Sequence, residues 1–206
     1  MAQAVRDLTD KVALVTGGGS GIGRAFVLSM AGKGAAVAVV DRNGEAAQQV
    51  ADEAAALGVR ARAYAVDVTD ARAMQAAVQD VIAHLGQLDF LFANAGVLGP
   101  ADYLDITPDD WDLVLDVNVK GITHTCRAAV EHMMARRQGR IIVTASYNGV
   151  RAGAHVIPYR VSKAAAIMYT RCLALVLAPY GITVNAICPG VTLTPMQLDY
   201  AAATAE

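Results

Sequence analysis

Tyr159 and Lys163 stand four positions apart in the run Tyr159-Arg160-Val161-Ser162-Lys163, and on a helix that spacing sets one side chain above the other. A phenol loses its proton near about 10 in water, and a neighbouring cation stabilises the phenolate, so the pair can move a proton to or from an alcohol or carbonyl oxygen. Tyrosine and lysine are common on helices, and the pattern alone is weak. It gains meaning from a second pattern near the start of the chain. Thr16-Gly17-Gly18-Gly19-Ser20-Gly21-Ile22-Gly23 follows an apolar run, Val12–Thr16, and opens a helix-period stretch. Glycines there let the backbone turn and approach a pyrophosphate, while unpaired N–H groups and the positive helix end attract the anion.

Asp41 closes the next apolar run, 18 residues after Gly23, where a carboxylate can accept hydrogen bonds from both ribose hydroxyls of an adenosine and repel a 2′-phosphate. No Lys or Arg lies between Gly17 and Gly23. Together these favour NAD over NADP. Arg42 is the opposing signal, since it could pair with a 2′-phosphate; its other reading is a rim residue packed on adenine. Further polar residues end later runs: Asp67-Val68, Asn94-Ala95-Gly96 and Ser146. One such residue is ordinarily a turn former or cap, but several at successive strand ends describe a shared cleft.

The elements that must hold these residues follow from hydrophobic periodicity. Strands are predicted near 12–16, 36–40, 61–66, 88–93, 140–145 and 182–188, and helices near 22–33, 44–57, 70–85, 108–136 and 158–178. This alternation predicts an α/β fold, a parallel sheet with helices on both faces. The first, second and fourth strands are apolar nearly throughout, as strands covered on both faces are. With 206 residues and 55% hydrophobic content, the chain reads as one domain, 1–206.

Charge is nearly balanced, Lys+Arg 17 against Asp+Glu 19, which gives no field for nucleic acid or an anionic membrane and points to a small-molecule partner or another subunit. Cys126, Cys172 and Cys188 are odd in number, far apart and set in apolar runs, the pattern of reduced core thiols in a cytoplasmic protein rather than of bridges or metal ligands. No metal site is expected. The opening Met1–Asp10 lacks the apolar stretch of a signal peptide. The uncharged run from Cys172 to Leu198 is broken by Pro179, Gly181, Asn185, Pro189 and Gly190, which excludes a spanning helix.

In this order and spacing, TGGGSGIG at 16–23, Asp41, Asp67-Val68, NAG at 94–96, Asn118, Ser146, YRVSK at 159–163 and PGVTLT at 189–194 make the chain similar to the short-chain dehydrogenase/reductase family, from about Leu8 to Met196. The resemblance implies a Rossmann doubly wound sheet, a nicotinamide cofactor and hydride transfer to or from the carbon of a secondary alcohol or ketone. It makes Tyr159 the general acid/base, Lys163 the residue that binds the nicotinamide ribose and lowers the Tyr159 pKa, and Ser146 the holder of the substrate oxygen. Asn118 would position a proton-relaying water; its other reading is a helix-interior Asn bonding backbone. Also by resemblance, Ser20 and Ile22 contact ribose or pyrophosphate, Asp67 and Val68 flank adenine, Asn94 meets the adenosine ribose, and backbone from Pro189 through Gly190, Val191 and Thr192 to Thr194 holds the carboxamide.

Family members usually continue past this point with a helical lid, a seventh strand and a glycine-rich tail. The chain ends at Glu206, so the final strand is expected to be missing, with a fragment favoured over a lost lid because strand six would otherwise be an unprotected edge. Residues 97–103 and 147–155 should border the substrate pocket, with Arg151 and His155 read first as solvated loop residues and second as substrate contacts. Two other functions stay open: a dinucleotide-binding or assembly protein with little turnover, against which the intact Ser146, Tyr159 and Lys163 argue, and a methyltransferase, which would leave Tyr159 and Lys163 unexplained. An NADP-dependent ketoreductase is the cofactor alternative. Apolar residues on more than one side of the helices at 108–136 and 158–178, among them Ile167, Leu173, Leu175 and Val176, predict a homo-oligomer, dimer or tetramer.

Overall fold

The computed structural model describes residues 7–203; the first six residues of the opening stretch read for a signal segment, and the chain end Ala205-Glu206, lie outside them. Six strands, β1 (Val12–Thr16), β2 (Ala36–Asp41), β3 (Ala61–Ala65), β4 (Phe90–Ala93), β5 (Gly139–Thr144) and β6 (Ile182–Ile187), form one parallel sheet in the order β3-β2-β1-β4-β5-β6. Leu14 of β1 sits between Ala38 of β2 and Leu91 of β4. The chain runs outward from β1 to β3, then crosses back to place β4 on the other side of β1. A crevice opens where that direction reverses, beyond the carboxyl ends of β1 and β4.

Alternation along β1 divides the core between the two sheet faces. Ala13 and Val15 pack with Val27 and Met30 of α1 (Gly21–Ala31) and Val50 of α2 (Gly44–Ala55). Val12 and Leu14 join Met74 and Val78 of α3 (Ala71–Leu85) and, toward β5 and β6, residues of α5 (Gly121–Arg136) and α6 (Ile157–Leu177). Local chemistry sets the helix starts. Asp70 accepts from the N–H groups of Arg72 and Ala73 at 2.9 Å, and Thr107 and Asp110 form a reciprocal capping box before Pro108 at the head of α4 (Pro108–Leu115).

Four features depart from the sequence expectations. The helix anticipated over 108–136 is two, α4 and α5, joined by a π-helical turn at Asp116–Lys120. The buried Asn118 occupies that turn and bonds sideways to the backbone of Val97, and an inserted π turn is a common way to aim a residue out of register. A helix, α7 (Pro195–Ala203), stands where none was foreseen. Only Cys126 is a core thiol; Cys172, on the exposed side of α6, and Cys188, just past the end of β6, are exposed. Ile167 and Leu173 pack on the core, while Leu175 and Val176 remain exposed. No seventh strand occurs among the described residues, and β6 forms the sheet edge with Thr183 and Asn185 facing outward. By length and hydropathy alone α6 could cross a membrane; here it lies along the sheet with Ser162, Lys163, Ala166 and Thr170 buried beneath it.

Candidate functional site

One cleft of about 420 Å³ lies over the carboxyl ends of the strands, within the size range of small-molecule sites. It is lined by Gly17, Ser20, Gly21, Ile22 and Gly23, by Asp41, Arg42, Asp67 and Val68, by Asn94, Ala95 and Gly96, by Ser146, Tyr159 and Lys163, and by Pro189, Gly190, Val191, Thr192 and Thr194. Of the catalytic and cofactor-binding residues expected from the sequence, Asn118 alone lies behind the wall, fully buried.

The glycine loop is shaped by its own backbone and its neighbours. Gly17 has φ +63°, a left-handed conformation that side-chain-bearing residues seldom adopt, and the N–H of Gly18 donates to the carbonyl of Val40 at 3.1 Å. A Cβ on Gly23 would collide with the carbonyl oxygen of Gly17. Ser20 precedes α1 without a side-chain cap bond, which leaves first-turn N–H groups for an anion. This cradle fits a pyrophosphate.

Asp41 is the loop's neighbour on β2. Its carboxylate accepts from the N–H of Gly19 and from that of Asn43, each at 3.0 Å. Asn94 ties the loop from the other side: its Nδ2 donates to the carbonyls of Thr16 (3.0 Å) and Gly17 (3.3 Å), and its Oδ1 accepts from the hydroxyl of Thr144 at 3.0 Å. Both oxygens of Asp41 and both ends of the Asn94 amide are thus engaged before any ligand arrives. The Asp67 carboxyl is held below its ordinary range, first by the Thr69 N–H, then by the Thr69 hydroxyl, with a smaller contribution from the Arg42 charge.

At the other end of the cleft, α6 brings Tyr159 and Lys163 onto one face, with the Lys163 Nζ 5.5 Å from the Tyr159 ring centre. Lys163 is buried, donates to the carbonyl of Thr144 at 2.7 Å, and has its pKa lowered to about 8 by loss of solvent, which the nearby Cys188 partly offsets. The Tyr159 phenol is pushed above its ordinary value by burial and drawn back by a hydrogen bond with Ser146. For the Tyr159 phenol burial is the dominant influence and Ser146 the opposing one, while the Lys163 ammonium is directed to a backbone carbonyl. Ser146 also accepts from the N–H of Asn148 at 3.1 Å. Two hydroxyls, one of them a proton donor within reach of a buried cation, face the same space.

Asn118 serves as a clamp. Its Oδ1 accepts from the N–H of Val97 at 2.8 Å, and its Nδ2 donates to the carbonyl of Val97 at 2.8 Å and to the hydroxyl of Ser162 at 3.0 Å. Ser162 in turn donates to the carbonyl of Tyr159 at 2.8 Å. Sequence reading passed over Ser162 although it stands inside YRVSK, and over Thr144, whose carbonyl carries no residue-type signal. Of the two expected border loops, Val97, Leu98, Tyr147 and Asn148 line the cleft, whereas His155 pairs with Asp102 at 3.3 Å. Arg151 is turned onto Tyr147, 5.4 Å over its ring and bonded to its hydroxyl.

A family model described as short chain dehydrogenase matches residues 11–204. Cyclohexanol dehydrogenase of Rhodococcus sp. (strain TK6) is 39% identical over 201 residues, 89% of this chain and 74% of that protein. The 2,3-dihydro-2,3-dihydroxybenzoate dehydrogenase of Bacillus subtilis (strain 168) is 35% identical over 192 residues, 93% of this chain and 74% of that protein. Among solved structures, NAD+-bound xylitol dehydrogenase superposes with a TM-score of 0.87 at 42% identity, covering 89% of this chain and 71% of that one.

Proposed function

The chain belongs to the short-chain dehydrogenase family, and from that premise we propose that it is an NAD-dependent oxidoreductase interconverting a secondary alcohol and a ketone. The observation that carries the reading is the meeting of Ser146, Tyr159 and Lys163 in the same cleft as the glycine loop. Bound nicotinamide would supply or accept the hydride. The loop from Gly17 to Gly23 and the start of α1 would hold the pyrophosphate, Asp41 the adenosine ribose, and Lys163 the nicotinamide ribose.

The protein's own part is proton transfer and orientation. Ser146 and Tyr159 hydrogen-bond the substrate oxygen together, fixing the carbon above the cofactor site. In reduction, the Tyr159 hydroxyl gives its proton to the developing alkoxide; in oxidation the phenolate takes it. Charge on the phenolate is favoured by the Ser146 hydrogen bond and opposed by burial, and the Lys163 ammonium on the same helix face would favour it further. Asn118 keeps the first turn of α6 and the Val97 backbone in register through Ser162. NAD rather than NADP is supported by the Asp41 carboxylate facing the site.

The names of the relatives cover a neutral ring alcohol, a ring bearing a carboxylate and a polyol, so the family supports alcohol and ketone chemistry without fixing the substrate. The decisive experiment follows reduced-nicotinamide absorbance across a panel of secondary alcohols and ketones with NAD(H) and NADP(H). Turnover with NAD(H) in preference to NADP(H) is expected. Preference for NADP(H) would overturn the cofactor assignment, and absence of turnover with both would overturn the activity.

Two further proposals belong to this reading. Val161, Met168 and Leu175 repeat every seventh residue along the outside of α6 and are exposed with Val176, which supports a homo-oligomer, dimer or tetramer, built on that helix. The three cysteines are all free, which supports a reducing, cytoplasmic setting.

A further inference from the structure

We infer that the reactive end of the cleft selects uncharged ketones and secondary alcohols on an apolar ring or short chain and turns away substrates with an anionic group within a ring's width of the carbonyl. The inference rests on the oxidoreductase reading above and narrows it. With Ser146 and Tyr159 the cleft wall carries Val97, Leu98, Tyr147, Asn148, Val191 and Met196, and beside the last Gln197. None is charged. The charged residues that line the cleft are Asp41, Arg42 and Asp67, at the ends of β2 and β3, and Lys163, whose ammonium is buried and bonded to the carbonyl of Thr144. A carboxylate beside the reacting carbon would shed water there without meeting a free cation, and an uncompensated charge is among the most costly groups to bury.

The approach to this end carries the same bias. Gly96, Val97, Leu98 and Met196 are shared with an open chamber of about 980 Å³ whose wall holds Asp102, Asp105 and Asp199. Against these three carboxylates stand Arg42, which lies near Asp67, and His155, which faces Asp102 at 3.3 Å. Arg151 and Arg160, the other bases of this region, line neither space: Arg151 is engaged with Tyr147, and Arg160 donates to the carbonyls of His155 and Arg151. The aspartates are solvent-exposed, so their field is strongest at low salt and fades as the screening length shortens.

The test compares cyclohexanone with 4-oxocyclohexanecarboxylate, the same ring without and with a charge, using NADH at low and high salt. At low salt kcat/KM for the neutral ketone should exceed that for the anion by about tenfold or more. Added salt, and the combined D102N, D105N and D199N substitutions, should narrow the ratio; a ratio that ignores both assigns the selection to the uncharged lining alone and still supports the inference. Equal or faster turnover of the carboxylate overturns it while leaving the proposed reaction standing. If no alcohol or ketone of the wider panel changes the nicotinamide absorbance, the reaction itself is misread and this inference falls with it.

Discussion

Lys163 donates its ammonium to the carbonyl oxygen of Thr144 across 2.7 Å, and both residues are shielded from water. The bond joins the first turns of α6 to the last residue of β5, so the helix that carries Tyr159 is pinned to the strand that delivers Ser146.

Burial of that ammonium has a stability consequence with a definite sign. Its pKa falls from 10.5 to about 8 on folding, so between those values the unfolded chain binds more protons than the native one and stability rises with pH; below about 8 the full penalty, about 3 kcal/mol, is present. The Cys126 thiol, pushed up from 9.0 to about 12 by burial, acts in the opposite sense above its ordinary value. The rise should therefore be clearest between about pH 8 and 9, where it amounts to about 1 kcal/mol. Urea unfolding of the parent and of Lys163→Met over that interval checks it: the parent should gain stability relative to the variant as pH increases, and parallel curves would show that Lys163 titrates normally.

Tyr159→Phe removes one oxygen and little volume. Turnover should fall by about 10²- to 10⁴-fold, the usual worth of a positioned acid or base, while NAD affinity changes by less than about threefold, since the loop at 16–23 is untouched. Calorimetric titration with NAD alongside steady-state kinetics separates the two. Retention of most of the turnover would remove Tyr159 from the proton-transfer role.

The sheet and the glycine loop were legible because each rests on a local rule: β1, β2 and β4 bury nearly every side chain and read as unbroken apolar runs, and the loop's glycines answer to backbone geometry. The meeting of Ser146 with Tyr159 and Lys163 was legible as a set of strand-end and helix residues of the right types. What escaped depends on tertiary contacts. The π turn at Asp116–Lys120 leaves no break in periodicity, being stabilised by the bonds of Asn118 to a segment about 20 residues away in sequence. The direction of the Lys163 ammonium is decided by a carbonyl, which every residue has. Cys172 and Cys188 sit in apolar runs yet face outward, a matter of helix phase and strand end that composition does not record.

Asp41→Ala tests the cofactor assignment and also a structural duty. The carboxylate accepts from the N–H groups of Gly19 and Asn43, so its loss should loosen the loop as well as remove a ribose partner. NAD affinity should fall about tenfold or more, by loss of one or two charge-assisted bonds, while NADP affinity changes little or improves because a repulsive charge is gone. Comparison with Asp41→Asn separates the duties: the amide can still accept from Gly19, so loop order should persist while the discrimination against NADP weakens. An unchanged NAD-to-NADP ratio in both variants would refute the assignment.

Asn118→Ala distinguishes a clamp from a participant in chemistry. The side chain makes three hydrogen bonds in a fully buried position, two to the backbone of Val97 and one to Ser162; truncation strands the Val97 N–H and C=O without partners or admits water to them. A loss of about 2 to 4 kcal/mol in unfolding free energy is expected, with faster amide exchange at Val97 as its local signature. Asn118→Asp keeps an acceptor for the Val97 N–H but places a carboxylate against the Val97 carbonyl, and should be no better tolerated. Because the same network reaches the carbonyl of Tyr159 through Ser162, turnover should fall in step with exchange at Val97. If instead stability and Val97 exchange match the parent while turnover collapses, Asn118 acts on protons rather than on backbone position, and the relay reading gains the weight that the clamp loses.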